Sequence, residues 1–218
     1  LDPELLGEIF ENLLASYNEE TSTTARKQTG SFYTPREIVN YMVDSSVKEY
    51  LKTNLPFVTD DKLNLLFSID NPINEFSSEE TQNLVKALDK IKILDPACGS
   101  GAFPMGILNR LVKLLEVLDP ENLYWKTLRI NGAQTKDNAE EMLKEIKQIF
   151  DMDKYTANYS RKLFLIENSI YGLDIQPMAT QITKLRFFIS LVIEQNIDES
   201  KPNNGILTLP NLETKFLS

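Results

Sequence analysis

A doubly wound α/β fold is predicted by the order of two strand-like runs. The first, IKILD at 91–95, ends in an acid, crosses a loop of very small residues at 96–101 and enters a helical pattern. The second, SIYGLD at 169–174, also ends in an acid and leads into a helix starting at Pro177. The resulting order is strand–loop–helix–insert–strand–helix. In such folds ligands sit beyond the carboxyl ends of the strands.

Taken in order, residues 2–17 read as an amphipathic helix. Asp2 can cap it, Pro3 suits its first position, and Leu6, Ile9, Phe10, Leu13 and Tyr17 share a face. A polar, Thr-rich loop follows. The stretch from Thr34 predicts a second helix opened by a capping box, with Thr34 as N-cap, Pro35 at the first helical position and Glu37 three residues on. Its buried stripe would be Ile38, Val39, Met42, Val43, Val47 and Tyr50. Residues 52–76 read as irregular and 78–89 as a short helix. After the small-residue loop, Ile107, Leu108, Leu111, Leu114, Leu115 and Leu118 mark a helix ending near 118. The span 119–168 reads as mostly helical and outside the sheet. A long helix from Pro177 carries Met178, Ile182, Leu185, Ile189 and Val192 on one side, and the tail from Asn204 can begin another strand.

Composition bounds the chemistry. The chain has 218 residues, 42% of them hydrophobic and 25% charged, as in ordinary globular proteins. No apolar run reaches transmembrane length and no signal peptide opens the chain. A single cysteine, Cys98, precludes an internal disulfide and fits a cytoplasmic location. The absence of histidine excludes Ser-His-Asp triads, Cys-His pairs and His-containing zinc sites, so no metal site is expected. The net charge of −9 has the wrong sign for a surface that grips phosphates unaided. The chain opens at Leu1 rather than Met, so we expect a piece of a longer polypeptide.

The loop Pro96-Ala97-Cys98-Gly99-Ser100-Gly101 keeps side chains small, so backbone N–H groups can approach a ligand. It matches neither the phosphate P-loop nor G-x-G-x-x-G, because residue 104 is proline. A loop that begins with Asp95 suits a ligand carrying positive charge. Alternatively, Gly99 and Gly101 only permit a tight turn. At the end of the second strand, Asp174 is placed to accept two hydrogen bonds from a ribose diol. Its distance in sequence from Asp95 far exceeds the roughly 20 residues usual for that role, which requires an insertion. Alone, Asp174 reads more readily as a helix cap or a solvated loop acid. Two nuclease-like tripeptides, Glu145-Ile146-Lys147 and Glu213-Thr214-Lys215, have no Pro-Asp partner at a sensible distance. Cys98 has no base beside it in sequence and reads as a small filler.

Three strings, TGSFYTPREIV, ILDPACGSGAF and IYGLDIQPMATQITKLRFFISL, together resemble in order the motifs of the gamma-type N6-adenine DNA methyltransferases. The longest of them look most like the methyltransferase region of type IIG restriction–modification enzymes, which join nuclease, methyltransferase and DNA recognition. The resemblance spans about residues 26–216. It implies a partial Rossmann-like fold that binds S-adenosyl-L-methionine. It also implies that Asp95 meets the methionine ammonium and that Ala97, Gly99, Ser100 and Gly101 line its path. Asp174 would hold the ribose hydroxyls, Ile175 would pack on the adenine, and Tyr33 and Thr34 would touch the methionine end. A plain N-cap is the other reading of Thr34. The implied organisation is a helix and linker from an upstream region (1–30), then the cofactor-binding part of a methyltransferase domain (31–218), with 119–168 a helical insertion.

The family's Asn/Asp-Pro-Pro-Tyr/Phe motif, which orients a flipped-out adenine amine, is missing. No Pro-Pro pair occurs, and Asn71-Pro72 precedes the cofactor loop, where the family order excludes it. The resemblance therefore implies that no catalytic residue lies in these 218 residues. Duplex DNA would be contacted by regions elsewhere, with a fused nuclease and target-recognition domain as further partners. Two rival readings are a methyltransferase for RNA or protein with the same loop, and a non-catalytic assembly module of methyltransferase fold.

Overall fold

The computed structural model describes residues 34–134, 138–150, 155–206, 208 and 214–218, with Pro3, Leu5, Leu6, Gly7, Ile9, Tyr17–Asn18 and Thr23–Thr24 ahead of them. Pro3, Leu5, Leu6, Gly7 and Ile9 are helical, as the first pattern predicts, and the rest of that pattern lies outside the described residues. Tyr17–Asn18 pairs antiparallel with Thr23–Thr24 inside the stretch read as a loop.

Helix α1 runs Arg36–Asn54 and buries Val39, Val43, Val47 and Leu51, a stripe repeating every fourth residue. Two expectations about it are corrected. The Thr34 capping box does not form: Pro35, at φ −55° and ψ 142°, is extended and is itself the N-cap, with no side-chain cap bond. Helical geometry therefore starts one residue later than predicted, and the Pro35 carbonyl accepts the first amides, from Ile38 and Val39, at 3.0 and 3.1 Å. The buried stripe is also narrower than the sequence implies. Ile38 and Met42 are exposed, and Tyr50 is half-buried, donating its hydroxyl to the Ala87 carbonyl at 3.1 Å.

Helix α2, Asp60–Leu66, lies in a stretch read as irregular. Seven residues are too few to establish a period. It is held by the burial of Leu63 and Leu66, with Asp60 and Asp61 at its positive end. Helix α3, Ser78–Lys90, has a true capping box, in which Ser77 Oγ accepts from the Glu80 amide and the Glu80 carboxylate accepts from the Ser77 amide.

Strand β1, Ile93–Asp95, leads through the loop to α4, Ala102–Leu118, an apolar helix that runs through the centre of the core. Helices α5 (Leu123–Gln134), α6 (Ala139–Ile149) and α7 (Ala157–Asn168) occupy the predicted insertion. Strand β2 (Ile170–Leu173), helix α8 (Pro177–Val192) and strand β3 (Lys215–Leu217) follow. The sheet is parallel in the order β1-β2-β3, with Asp95 opposite Gly172 and Gly172 opposite Phe216. The insertion adds no strand between β1 and β2, but α7 does not stay outside the core. Tyr159, Leu163, Leu165 and Ile166 are buried with α4. Arg161 ties α7 back to the end of α4 by donating to the Asp119 and Pro120 carbonyls at 2.7 and 2.8 Å.

Alternation along the strands separates two faces. Ile170, Gly172 and Phe216 face the helices and are buried. Leu94, Leu173 and Leu217 point the other way and are 59%, 41% and 65% exposed, so this face is open among the described residues. Beside it, α1 and the edge of β1 that faces away from β2 border an apolar groove of about 400 Å³ with Met42, Leu94 and Phe103 in its wall.

The packing of α1 makes a graded prediction. Leu51→Ala, at a fully buried position, should lower unfolding stability by about 2–5 kcal/mol. Met42→Ala, at a half-exposed one, should cost less than about 1 kcal/mol. Urea denaturation of both variants checks this, and equal losses would contradict the assignment of the stripe.

Candidate cofactor-binding site

Parallel pairing brings the ends of β1 and β2 side by side, and the loop after β1 folds across both. The Cys98 amide donates to the Leu173 carbonyl at 2.8 Å, and the Gly101 amide closes a turn onto the Cys98 carbonyl at 2.8 Å. Gly99 and Gly101 both have left-handed backbone, with φ of 55° and 90°. At Gly101 a second constraint acts, because a Cβ there would lie 2.8 Å from the Thr183 side chain. The tight-turn reading of these glycines is correct, and at Gly99 the turn also leaves the backbone facing open space. Gly101 is the N-cap of α4 and supplies no side-chain acceptor, so the first amides of that helix are not capped by it.

Two carboxylates frame the loop. Asp174 Oδ2 accepts from the Gly99 amide at 2.8 Å, and its Oδ1 accepts from the Gln176 amide at 2.8 Å. Asp95 Oδ1 accepts from the Ala97 amide at 3.1 Å, whereas its buried Oδ2 has no hydrogen-bond partner. Burial, and secondarily the nearby Asp174 charge, push the Asp95 pKa above the ordinary 3.8 against the lowering effect of the Ala97 bond. A carboxylate oxygen so placed is complementary to a cationic donor.

Of the residues predicted for the site, Asp95, Ala97, Gly99, Ser100, Gly101 and Asp174 are thus gathered at one end of the sheet. Ile175 follows directly and is 90% exposed, an apolar side chain presented to solvent next to the second acid. Ser100 is buried, and its carbonyl accepts from Arg186 of the scaffold. Thr34 shares a cavity of about 470 Å³ with Ser100 and Ala102, so it lies on the α4 side of the loop and not between the two acids. Tyr33 lies outside the described residues. Cys98 is buried, and desolvation with the two nearby acids raises its thiol to about 12, which leaves it protonated and unsuited to nucleophilic attack.

Sequence reading missed what lies beneath the loop. Thr183 Oγ1 donates to the Gly99 carbonyl at 2.9 Å, and Arg186 Nη1 donates to the Ser100 carbonyl at 2.8 Å. Both side chains project from α8 and are buried. A signal existed: Thr180, Thr183, Arg186 and Ser190 are polar residues at helical spacing along one side of the helix, and all four are buried. Of the nuclease-like tripeptides, the one on α6 exposes Glu145 and Lys147 and buries only Ile146. Glu213 of the other lies outside the described residues. Among the described residues no group of acids and thiols is arranged to hold a metal ion, and no helix is long and apolar enough to cross a membrane.

The chain is similar to known proteins in two comparisons. The N-6 DNA Methylase family model matches residues 1–56, which include Tyr33 and Thr34. A protein of Methanocaldococcus jannaschii, named as a candidate type II restriction enzyme and methyltransferase, is 30% identical over 221 residues. That match covers 98% of this chain and 16% of the relative.

Two outcomes test this geometry. Gly101→Ala should lower stability by about 1–3 kcal/mol through its strained φ alone, measured by denaturant titration. Cys98 in the folded chain should resist alkylation by iodoacetamide at pH 8 and become reactive on unfolding, read by mass spectrometry.

Proposed function

Because this chain is a relative of the N-6 DNA methylases of restriction–modification type, we propose that it binds S-adenosyl-L-methionine at the joined ends of β1 and β2. On this reading it forms the cofactor half of a site-specific adenine-N6 DNA methyltransferase. The observation that carries the reading is the buried, unpartnered Asp95 Oδ2 beside a second acid and the Gly99 backbone, which faces open space. The residues fit the cofactor's chemistry. Asp95 accepts from the methionine ammonium, and the amides of Ala97, Gly99, Ser100 and Gly101 border its path. Asp174 uses lone pairs not taken by Gly99 and Gln176 to accept from the ribose hydroxyls, and Ile175 offers a face for the adenine. Thr34, with Tyr33, serves the methionine end. When bound, the cofactor supplies a sulfonium methyl group. The chain's own residues bind and orient.

Transfer to adenine needs groups that hold a flipped base, and the Asn-Pro-Pro-Tyr type of motif is absent from these residues. Those contacts, like DNA recognition and any fused nuclease, belong on this reading to other parts of a type IIG-like cytoplasmic polypeptide. The chain spans about a sixth of the relative's length, which leaves room for such parts. The open sheet face at Leu94, Leu173 and Leu217 supports packing of further chain there, since parallel sheets are covered on both sides. Residues 1–30 then join an upstream region, and 31–218 are the start of the methyltransferase domain.

S-adenosylhomocysteine should bind the 218-residue chain, and Asp174→Ala should weaken binding at least about tenfold, given about 1.5–3 kcal/mol for each hydrogen bond to a charged group. Calorimetry reads both. No binding by the wild type would favour a non-catalytic module. In a tritiated-methyl assay the chain alone should label nothing, while the longer polypeptide should label adenine N6 in duplex DNA. Label in RNA or protein instead would overturn the substrate.

Affinity should also depend on pH through Asp95. Its folded pKa is raised, so the protonated form is favoured at low pH and any stability it contributes is lost as pH rises through that value. The ionised form is the one that holds an ammonium. Affinity should therefore fall as pH drops through a value above 3.8, and Asp95→Asn should flatten the profile.

A further inference from the structure

We propose that Arg186 latches the N-terminal segment onto the cofactor loop, so that the loop's shape depends on residues at the very start of the chain. The proposal rests on the reading of residues 95–101 as a cofactor loop. Arg186 lies on α8 and is 5% exposed. Its guanidinium reaches two segments far apart in sequence, with Nε donating to the Pro3 carbonyl and Nη1 to the Ser100 carbonyl, both at 2.8 Å. A planar fork can serve two fixed acceptors at once, whereas a lysine ammonium is a point charge on a flexible stem.

Gly7 completes the arrangement. A Cβ at that position would lie 2.6 Å from Arg186 Nη1 and 2.7 Å from Cζ, closer than real contacts allow. The N-terminal helix thus presents its one bare position to the guanidinium. One turn earlier on α8, Thr183 holds the Gly99 carbonyl, so the helix after β2 fixes two consecutive carbonyls of the loop. Gly7, Thr34, Ser100 and Arg186 also share the wall of the 470 Å³ cavity. Arg186 is accordingly a positioning residue that acts through Ser100. A chain entering from an upstream region would pass its position to the cofactor loop through the Arg186 side chain.

Hydrogen exchange of the cofactor-free 218-residue chain tests the latch without relying on the cofactor. Alanine is the better helix former, so if Gly7 had no partner, Gly7→Ala would leave exchange unchanged or slow it. The latch gives the opposite sign: Gly7→Ala and Arg186→Lys should each speed exchange at the amides of Ser100, Gly101 and Ala102 by about tenfold, the scale of one charged hydrogen bond. Protection in Ser78–Lys90 should be unchanged, which separates loop release from general destabilisation. The double variant should exchange like Arg186→Lys alone, because both act on one contact. If Arg186→Lys does not fold, Gly7→Ala carries the test. Unchanged loop exchange in a folded variant, or additive effects in the double one, overturns the proposal. S-adenosylhomocysteine titration of the same samples separates the readings: a responsive loop in a wild type that binds no ligand leaves the latch standing and removes the cofactor.

Discussion

The hydrogen bond from the Gly99 amide to the Asp174 carboxylate, 2.8 Å long, joins the ends of two strands that are remote in sequence. Much else in the molecule exists so that it can form. It requires β1 and β2 to be neighbours in parallel register, and therefore requires the long insertion to leave and re-enter without adding a strand between them. It requires the loop after β1 to turn within very few residues, which two left-handed glycines provide. It also leaves the first acid, Asp95, with one buried oxygen unspent. The same contact that orders the site thus leaves a negatively charged group ready for a cationic partner.

Helix α8 is the second support. It follows β2 directly, so whatever fixes Asp174 also fixes α8, and α8 in turn grips the loop by the Gly99 and Ser100 carbonyls. The Gly99 peptide is consequently held on both sides, its amide by Asp174 and its carbonyl by Thr183. A loop braced in this way pays little ordering entropy on binding, which is how preorganised sites gain affinity. The cluster at Asp119, Pro120 and Arg161 plays a comparable part for the insertion, returning α7 to the core so that β2 starts in the right place.

Most of this was legible in the sequence where the signal is local and periodic. The two acid-terminated runs, the small-residue loop and the α4 pattern became the elements they imply, and α8 formed as a helix, but Met178 and Leu185 of its predicted apolar side are exposed while Thr183 and Arg186 are buried. The loop acids and glycines also converge as their spacing suggests. What the sequence hid depends on tertiary contacts. The start of α1 turned on the ψ of a single residue, Pro35, which a capping-box pattern does not report. Helix α2 was too short to carry a period. The core role of α7 follows from what it packs against, and the burial of polar Thr183 and Arg186 is explained only by the loop carbonyls they bind. Ile38 and Met42 mark the reverse error, apolar residues at helical spacing that stay exposed.

The central claim is that a sulfonium cofactor is held where the loop crosses the ends of β1 and β2. Titrating the isotope-labelled chain with S-adenosylhomocysteine and following backbone amides by NMR tests it most directly. The account predicts saturable shifts at Ala97, Gly99, Ser100, Gly101 and Ile175, with the helices of the insertion unmoved. Shifts confined to the apolar groove beside Met42 and Leu94, or none at saturating ligand, would contradict it.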